Sequence, residues 1–177
     1  MKKTLLILLS ILMLISTSGV CAEENEVSVE VNHQFTVKSV VPEGYRYSEQ
    51  FPSDILYIGY LEPTSPGHAQ ALVTIAYDEE AEGRTLNDYS EAELDALIQT
   101  FMKDTPTASV RLTESGKGTK LIVFNTENEY EHRVDVVTIW KGYQIAIMMF
   151  PYEGETVLDE ASTEMILTFM TDMEIIM

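Results

Sequence analysis

Thiols, positive charges and long apolar runs are what this chain has least of. Its one cysteine, Cys21, can close no disulfide within the chain, and a single thiol cannot build a multi-cysteine zinc site. Eleven basic residues stand against 29 acidic ones, a formal charge of −18 at pH 7. That balance excludes the basic footprint that nucleic acids and anionic membranes require. The apolar stretch from Leu5 to Ile15 falls short of the ~20 residues of a spanning helix and is closed by Ser16, Thr17 and Ser18. Also missing are the patterns of several catalytic classes: there is no GxSxG elbow, no glycine-rich phosphate loop and no HExxH.

What is present begins with an export signal. Lys2 and Lys3 give a positive start, the apolar stretch follows, and Val20 and Ala22 stand at minus three and minus one of a peptidase cut before Glu23. A lipid anchor at Cys21 is disfavoured, because Val20 stands where bacterial lipoproteins carry a smaller residue. Cleavage removes the only cysteine and two bases, so the exported chain is more negative still and has no transmembrane segment. We expect residues 1–22 to be signal peptide, 23–34 an acidic lead-in or edge strand, and 35–177 a single domain, exported to the periplasm or beyond the cell.

Along that domain, short alternating segments predict strands: "FTVKSV", stopped by a turn at Pro42 and Gly44, then "DILYIGYLE", "AQALVTIAY", "TASVRLTES", "TKLIVFNTE", "RVDVVTIW" and "YQIAIMMF". Lys141 and Gly142 suit a tight hairpin between the last two. Ser90 and Glu93 form a capping box ahead of Leu94, Leu97, Ile98, Phe101 and Met102, which recur at helical spacing. A second amphipathic helix is predicted on Leu158, Ala161, Met165, Ile166 and Phe169, with acids crowding its start. The strand Tyr143 to Phe150 is apolar on both sides, so both faces of its sheet need cover. The expected class is α+β: a mainly antiparallel sheet of about six or seven strands with helices packed on its faces, an α/β/α sandwich.

This order, with "VVPEGYRY", the pair "KLIVFNT" and "RVDVVTIWKGYQIAIMMF", and the closing "EMILTFMTDMEI", resembles the PsbP-like family. The resemblance covers about residues 35–175. It implies an α/β/α scaffold used mainly for binding, and it carries no functional residue onto a position of this chain.

Three groups of side chains are candidates for a site. In "YDEEAEG", Asp78, Glu80 and Glu82, with Asp88 beyond, could form a loose calcium site. An EF-hand loop is excluded, because Tyr89 stands where the bidentate carboxylate belongs and the preceding segment reads as a strand. A solvated strand-to-helix loop is the favoured reading, and no resident cofactor is expected beyond a weak Ca²⁺. The histidines His33, His68 and His132 share no metal-ligand spacing, although Glu127, Glu129 and Glu131 share one side of an extended segment that leads into His132. Tyr45, Tyr47, Phe51, Tyr57 and Tyr60 crowd one region, where exposed rings suit a protein or glycan partner and buried ones suit sheet packing. Without a nucleophile-and-base signature, the reading favours a binding or accessory module over an extracytoplasmic enzyme or a calcium-dependent surface protein.

Overall fold

The structure, a computed structural model, describes residues 26–51, 56–104, 108–127, 132–152, 155 and 157–177. The expected signal peptide, Cys21, Glu129 and Glu131 lie outside these residues. Ten strands and two helices are described, in the order β1 (Glu26–Val31), β2 (Phe35–Val40), β3 (Tyr45–Phe51), β4 (Leu56–Pro63), β5 (Gln70–Tyr77), α1 (Glu91–Asp104), β6 (Ala108–Glu114), β7 (Lys120–Glu127), β8 (His132–Trp140), β9 (Tyr143–Phe150), α2 (Glu160–Thr171) and β10 (Glu174–Ile176). The class is α+β, with every strand pair antiparallel.

Seven strands form one sheet in the order β3-β4-β5-β9-β8-β7-β6, and three form another in the order β1-β2-β10. The large sheet is thus two meanders. One runs β3 to β5; α1 then carries the chain to the far edge, and β6 to β9 return until β9 pairs with β5 at eight positions, from Gln70↔Phe150 to Tyr77↔Tyr143.

The second, smaller sheet was not foreseen. "MEI" reads as the end of the last helix, yet the helix stops at Thr171 and Glu174 to Ile176 form β10 on β2. Of the two readings of the lead-in, the edge strand is what its described part forms: β1 starts at Glu26 and pairs with β2 over six positions. Val29, Val31, Phe35 and Val37 turn inward from this sheet while Glu26 and Glu30 face solvent, the alternation of a half-buried strand.

Alternation along the large sheet divides the core into two clusters. Val123, Val136, Ile145, Ile147, Val73 and Ile75 pack with the small sheet and with Ile166, Phe169 and Met170 of α2. Their neighbours in sequence, Ile122, Phe124, Val137 and Ile139, pack with Leu94 of α1 and with Ala81 and Leu86 of the loop before it. Of the expected α2 stripe, Leu158, Ile166 and Phe169 are buried and Met165 packs against the core, and one position departs. Ala161 is exposed, and Ser162 is fully buried in its place.

Two turns follow from sequence as read. Gly44 takes φ +83° at the second central position of the turn closed by the Tyr45 N–H on the Pro42 carbonyl, 3.1 Å. Lys141 and Gly142, at φ +49° and +87°, make the two-residue β8–β9 hairpin turn. That turn is also an anchor. The Asp78 N–H donates to the Gly142 carbonyl at 2.7 Å and the Gly142 N–H to the Arg84 carbonyl at 3.1 Å, so the acidic loop is tied to the hairpin tip.

A Cβ at Gly142 would stand 2.9 Å from the Glu82 Cα, whereas one at Gly118 (φ +78°) meets open space. In urea melts, Gly142→Ala is expected to cost roughly 2–4 kcal/mol, combining left-handed backbone strain with backbone overlap, against about 1 kcal/mol for Gly118→Ala. Equal losses would show that the loop does not lean on the hairpin.

Candidate functional site

The acidic loop is built from capped turns. Asp78 precedes a single 3₁₀ turn, Glu79 to Ala81, and its Oδ1 accepts the Glu80 N–H at 3.0 Å. Asp88 closes a second turn, its Oδ2 accepting from the Thr85 N–H at 2.8 Å and from the Thr85 hydroxyl at 2.9 Å. These bonds hold the Asp88 carboxyl below its ordinary range, with nearby Arg84 and Lys120 adding to the effect. Glu80 and Glu82 are exposed. Among the described residues, no three His, Cys, Asp or Glu side chains gather as a metal-holding group.

Arg84 ties this loop to α1. Its guanidinium lies 3.9 Å from the centroid of the Tyr89 ring and donates to Glu93 Oε1 at 2.9 Å. Glu93 also accepts from the Ser90 N–H at 2.9 Å and the Ser90 hydroxyl at 2.7 Å, completing the expected capping box. The Ser90 backbone and hydroxyl bonds, with the Arg84 contact, hold the Glu93 carboxyl down at about 2.

The tyrosines divide by strand register. Tyr45 and Tyr57 are buried, and the Tyr45 hydroxyl donates to the Ala69 carbonyl at 2.9 Å. Tyr47 and Tyr57 share a hydroxyl–hydroxyl hydrogen bond of 2.7 Å, and Tyr47 stacks on Phe169 of α2 at 6.5 Å between centroids. Gly59 makes room for this pair, since a Cβ there would overlap the Tyr47 hydroxyl. Burial pushes the Tyr57 hydroxyl up to about 12 and Tyr47 higher still, so both stay neutral. These three rings pack inside the domain rather than forming an outer patch. Phe51 ends β3 at a bulge, and its side chain lies outside the described residues. Tyr60 faces the other side of the sheet, half-buried.

A serine, a histidine and an aspartate do meet, at the start of α2. Ser162 Oγ lies 3.2 Å from His68 Nδ1, and the same nitrogen lies 3.9 Å from Asp159 Oδ1. A proton relay needs the nucleophile and the carboxylate on opposite ring nitrogens. Here both approach Nδ1, and Ser162 is fully buried. Asp159 is instead the helix cap: Oδ1 accepts the Ser162 N–H at 2.8 Å and Oδ2 the Ala69 N–H at 3.2 Å. Burial pushes its carboxyl up, but hydrogen bonds from Ser162 and Ala69 outweigh that and hold it below its ordinary range. His132 does similar work, its Nδ1 accepting the Leu158 N–H at 3.0 Å. His33 stands at the exposed β1–β2 turn against Glu30.

A cavity of about 20 Å³ lies between the layers, lined by Val29, Val37, Val73, Ile147, Phe169 and Met170 among others. Its two nearby hydroxyls are engaged elsewhere, Ser39 with the Phe169 carbonyl at 2.5 Å and Tyr47 with Tyr57. It is a packing void, too small for a ligand and without polar partners for water.

The other apolar feature is a strip on the sheet face that carries α1. Leu72 is only 4% exposed yet belongs to neither core cluster. Its register partners are Tyr60 on β4 and Met148 on β9, with Ile58 and Phe150 two positions along the same strands. The cluster that holds α1 reaches as far as Ala146, and the strip beyond it belongs to neither cluster. Sequence reasoning recognised the two-sided apolarity of β9 and placed Tyr60 among its candidates, but could not tell that α1 sits over β7 and β8.

The chain matches no protein-family model, no curated protein and no solved structure. Its function is therefore argued from this geometry.

Two measurements check the electrostatics of the loop. Calcium and magnesium at matched ionic strength are expected to raise the melting midpoint slightly and equally, by screening. A saturable rise with calcium alone would assign an ion to Asp78, Glu80 and Glu82. Glu93 sits below its ordinary 4.5 when folded, so its contribution is complete above that pH and is lost as pH falls through about 2. The midpoint difference between the native protein and Glu93→Gln should therefore shrink steadily from pH 5 to pH 2. A constant difference would show that the carboxylate charge is not what caps α1.

Proposed function

We propose that the protein is an exported binding or accessory module, built as a PsbP-like three-layer arrangement with α1 and α2 against opposite faces of the large sheet. The division of the core supports the layering, because α1 and α2 join clusters formed by alternating residues of the same strands. One observation carries the binding reading: Ile58, Tyr60, Met148 and Phe150 stand half-buried around the buried Leu72 as an apolar strip over which no described helix lies. Contiguous apolar surface rimmed by polar groups is the usual mark of an interaction face. Here the rim is the Arg46–Glu62 pair at 3.1 Å on one side and Arg133 with Asp135 at 2.8 Å on the other.

Such a face suits the apolar side of a protein partner, with Tyr60 supplying a rigid ring that costs little entropy to fix. The polar groups that could suggest catalysis at the start of α2 are occupied in capping that helix, which further favours a binding role.

The test is an environment-sensitive apolar dye added to the folded protein well below its melting midpoint. Saturable binding is expected, weakened at least fivefold by Ile58→Asp and by Met148→Asp. A thermal melt confirms that each variant still unfolds cooperatively. No saturable binding by the native protein, or equal binding by both variants, would overturn the reading.

A further inference from the structure

Strand β6 is the exposed end of the seven-stranded sheet. It pairs with β7 at seven consecutive positions, Ala108↔Thr126 to Glu114↔Lys120, without a register shift. Its outward backbone groups bond to nothing among the described residues. Sheet edges are normally blunted by proline, by a bulge, by shortness or by an inward-pointing charge. Two of the other three edges follow that rule, and the third, β1, is regular over six positions but acidic, with Glu26 and Glu30 exposed. β3 is bulged between Glu49 and Phe51, and β10 is three residues long. β6 is regular and lacks Pro, Gly and a bulge; its one mid-strand charge is Arg111, and Leu112 is left 52% exposed beside Val110.

Charge separates β6 from the rest of the molecule. In a chain with 11 bases against 29 acids, Lys103, Arg111, Lys117 and Lys120 fall between the end of α1 and the start of β7, with Asp104 and Glu114 as the acids. Lys117 reaches Glu174 at 3.5 Å and Lys120 lies across from Glu114. Lys103 and Arg111 are exposed and have no ion-pair partner among the described residues. At physiological ionic strength the field of distant carboxylates decays over about 8 Å, so a segment lying along β6 meets this local positive character first.

We propose that β6 accepts an added antiparallel strand from a partner protein, an extended segment alternating apolar and acidic residues. The apolar residues of such a segment continue the face of Val110 and Leu112, and the acidic ones meet Arg111 on the opposite face, while the backbone ladder supplies most of the affinity. A second copy of the chain is a poorer occupant, because β6 paired with itself about Arg111 sets two guanidiniums opposite each other. This edge is distinct from the apolar strip, so the inference stands apart from the reading above.

The test uses fluorescein-labelled peptides of alternating Val or Thr with Glu, the same sequence with Lys for Glu, and the acidic sequence N-methylated at alternate residues. The acidic peptide should bind at least tenfold tighter than the basic one, and N-methylation on the pairing edge should abolish binding. Arg111→Glu should weaken it at least fivefold with an unchanged melting midpoint, and amide exchange should slow in residues 108–114 when peptide is added. Absence of binding by the acidic peptide would overturn the proposal, as would equal binding of both charges insensitive to Arg111→Glu. Self-association that Arg111→Glu alters in the absence of peptide would overturn it in favour of a second copy.

Discussion

The pairing of β5 with β9 is the constraint on which the large sheet depends. Each meander is held by local hairpin contacts, and only the eight positions from Gln70↔Phe150 to Tyr77↔Tyr143 join them. Closing that ladder brings together segments far apart in sequence, an entropic cost that apolar burial must offset. The burial is there: Ala71, Ile75, Ile145, Ile147 and Met149 are all nearly inaccessible. A slip of one residue would turn these side chains to the opposite face, so the same contacts that join the meanders also fix their register.

That register decides the fate of each tyrosine and of the loop after β5. Tyr77 ends opposite Tyr143, with the rings edge to face at 5.3 Å, and Tyr143 meets Phe35 of the small sheet at 5.5 Å. The chain leaves β5 beside the β8–β9 turn, close enough for Asp78 and Arg84 to bond to Gly142 on either side. On β4, Tyr57 is set inward beneath α2 and Tyr60 outward beside Leu72, because residues three apart in a strand cannot share a face.

Much of this was legible in the sequence, and the reasons differ by element. The Ser90–Glu93 box, the Lys141–Gly142 hairpin and the Gly44 turn are local chemistry, so they could be read without knowledge of the fold. β10 could not be read, because "EII" has no periodicity of its own and forms a strand only where β2 offers a ladder. The inward turn of α2 toward Ser162 was hidden for a related reason. A serine breaks the apolar stripe, and its burial makes sense only once His68 is found beside it. The tyrosine cluster was recognised as either packing or patch. Choosing between them required knowing that Gly59 leaves space for Tyr47 to reach Tyr57.

The acidic composition resolves into two populations with different physical roles. Asp78, Glu93 and Asp159 stand in the first turn of a helix or 3₁₀ turn and Asp88 reaches back to the start of its own, each with an oxygen accepting from a backbone N–H. A cation drawn to any of them would have to compete with those donors, which raises the cost of binding without requiring any special exclusion. Glu26, Glu30, Glu80 and Glu82 are instead exposed, where their mutual repulsion favours solubility. Against that background a few unpaired bases matter more than they would on a neutral surface. Arg111 sits on a regular sheet edge whose outer ladder is open among the described residues, so a backbone template and a local charge preference coincide there.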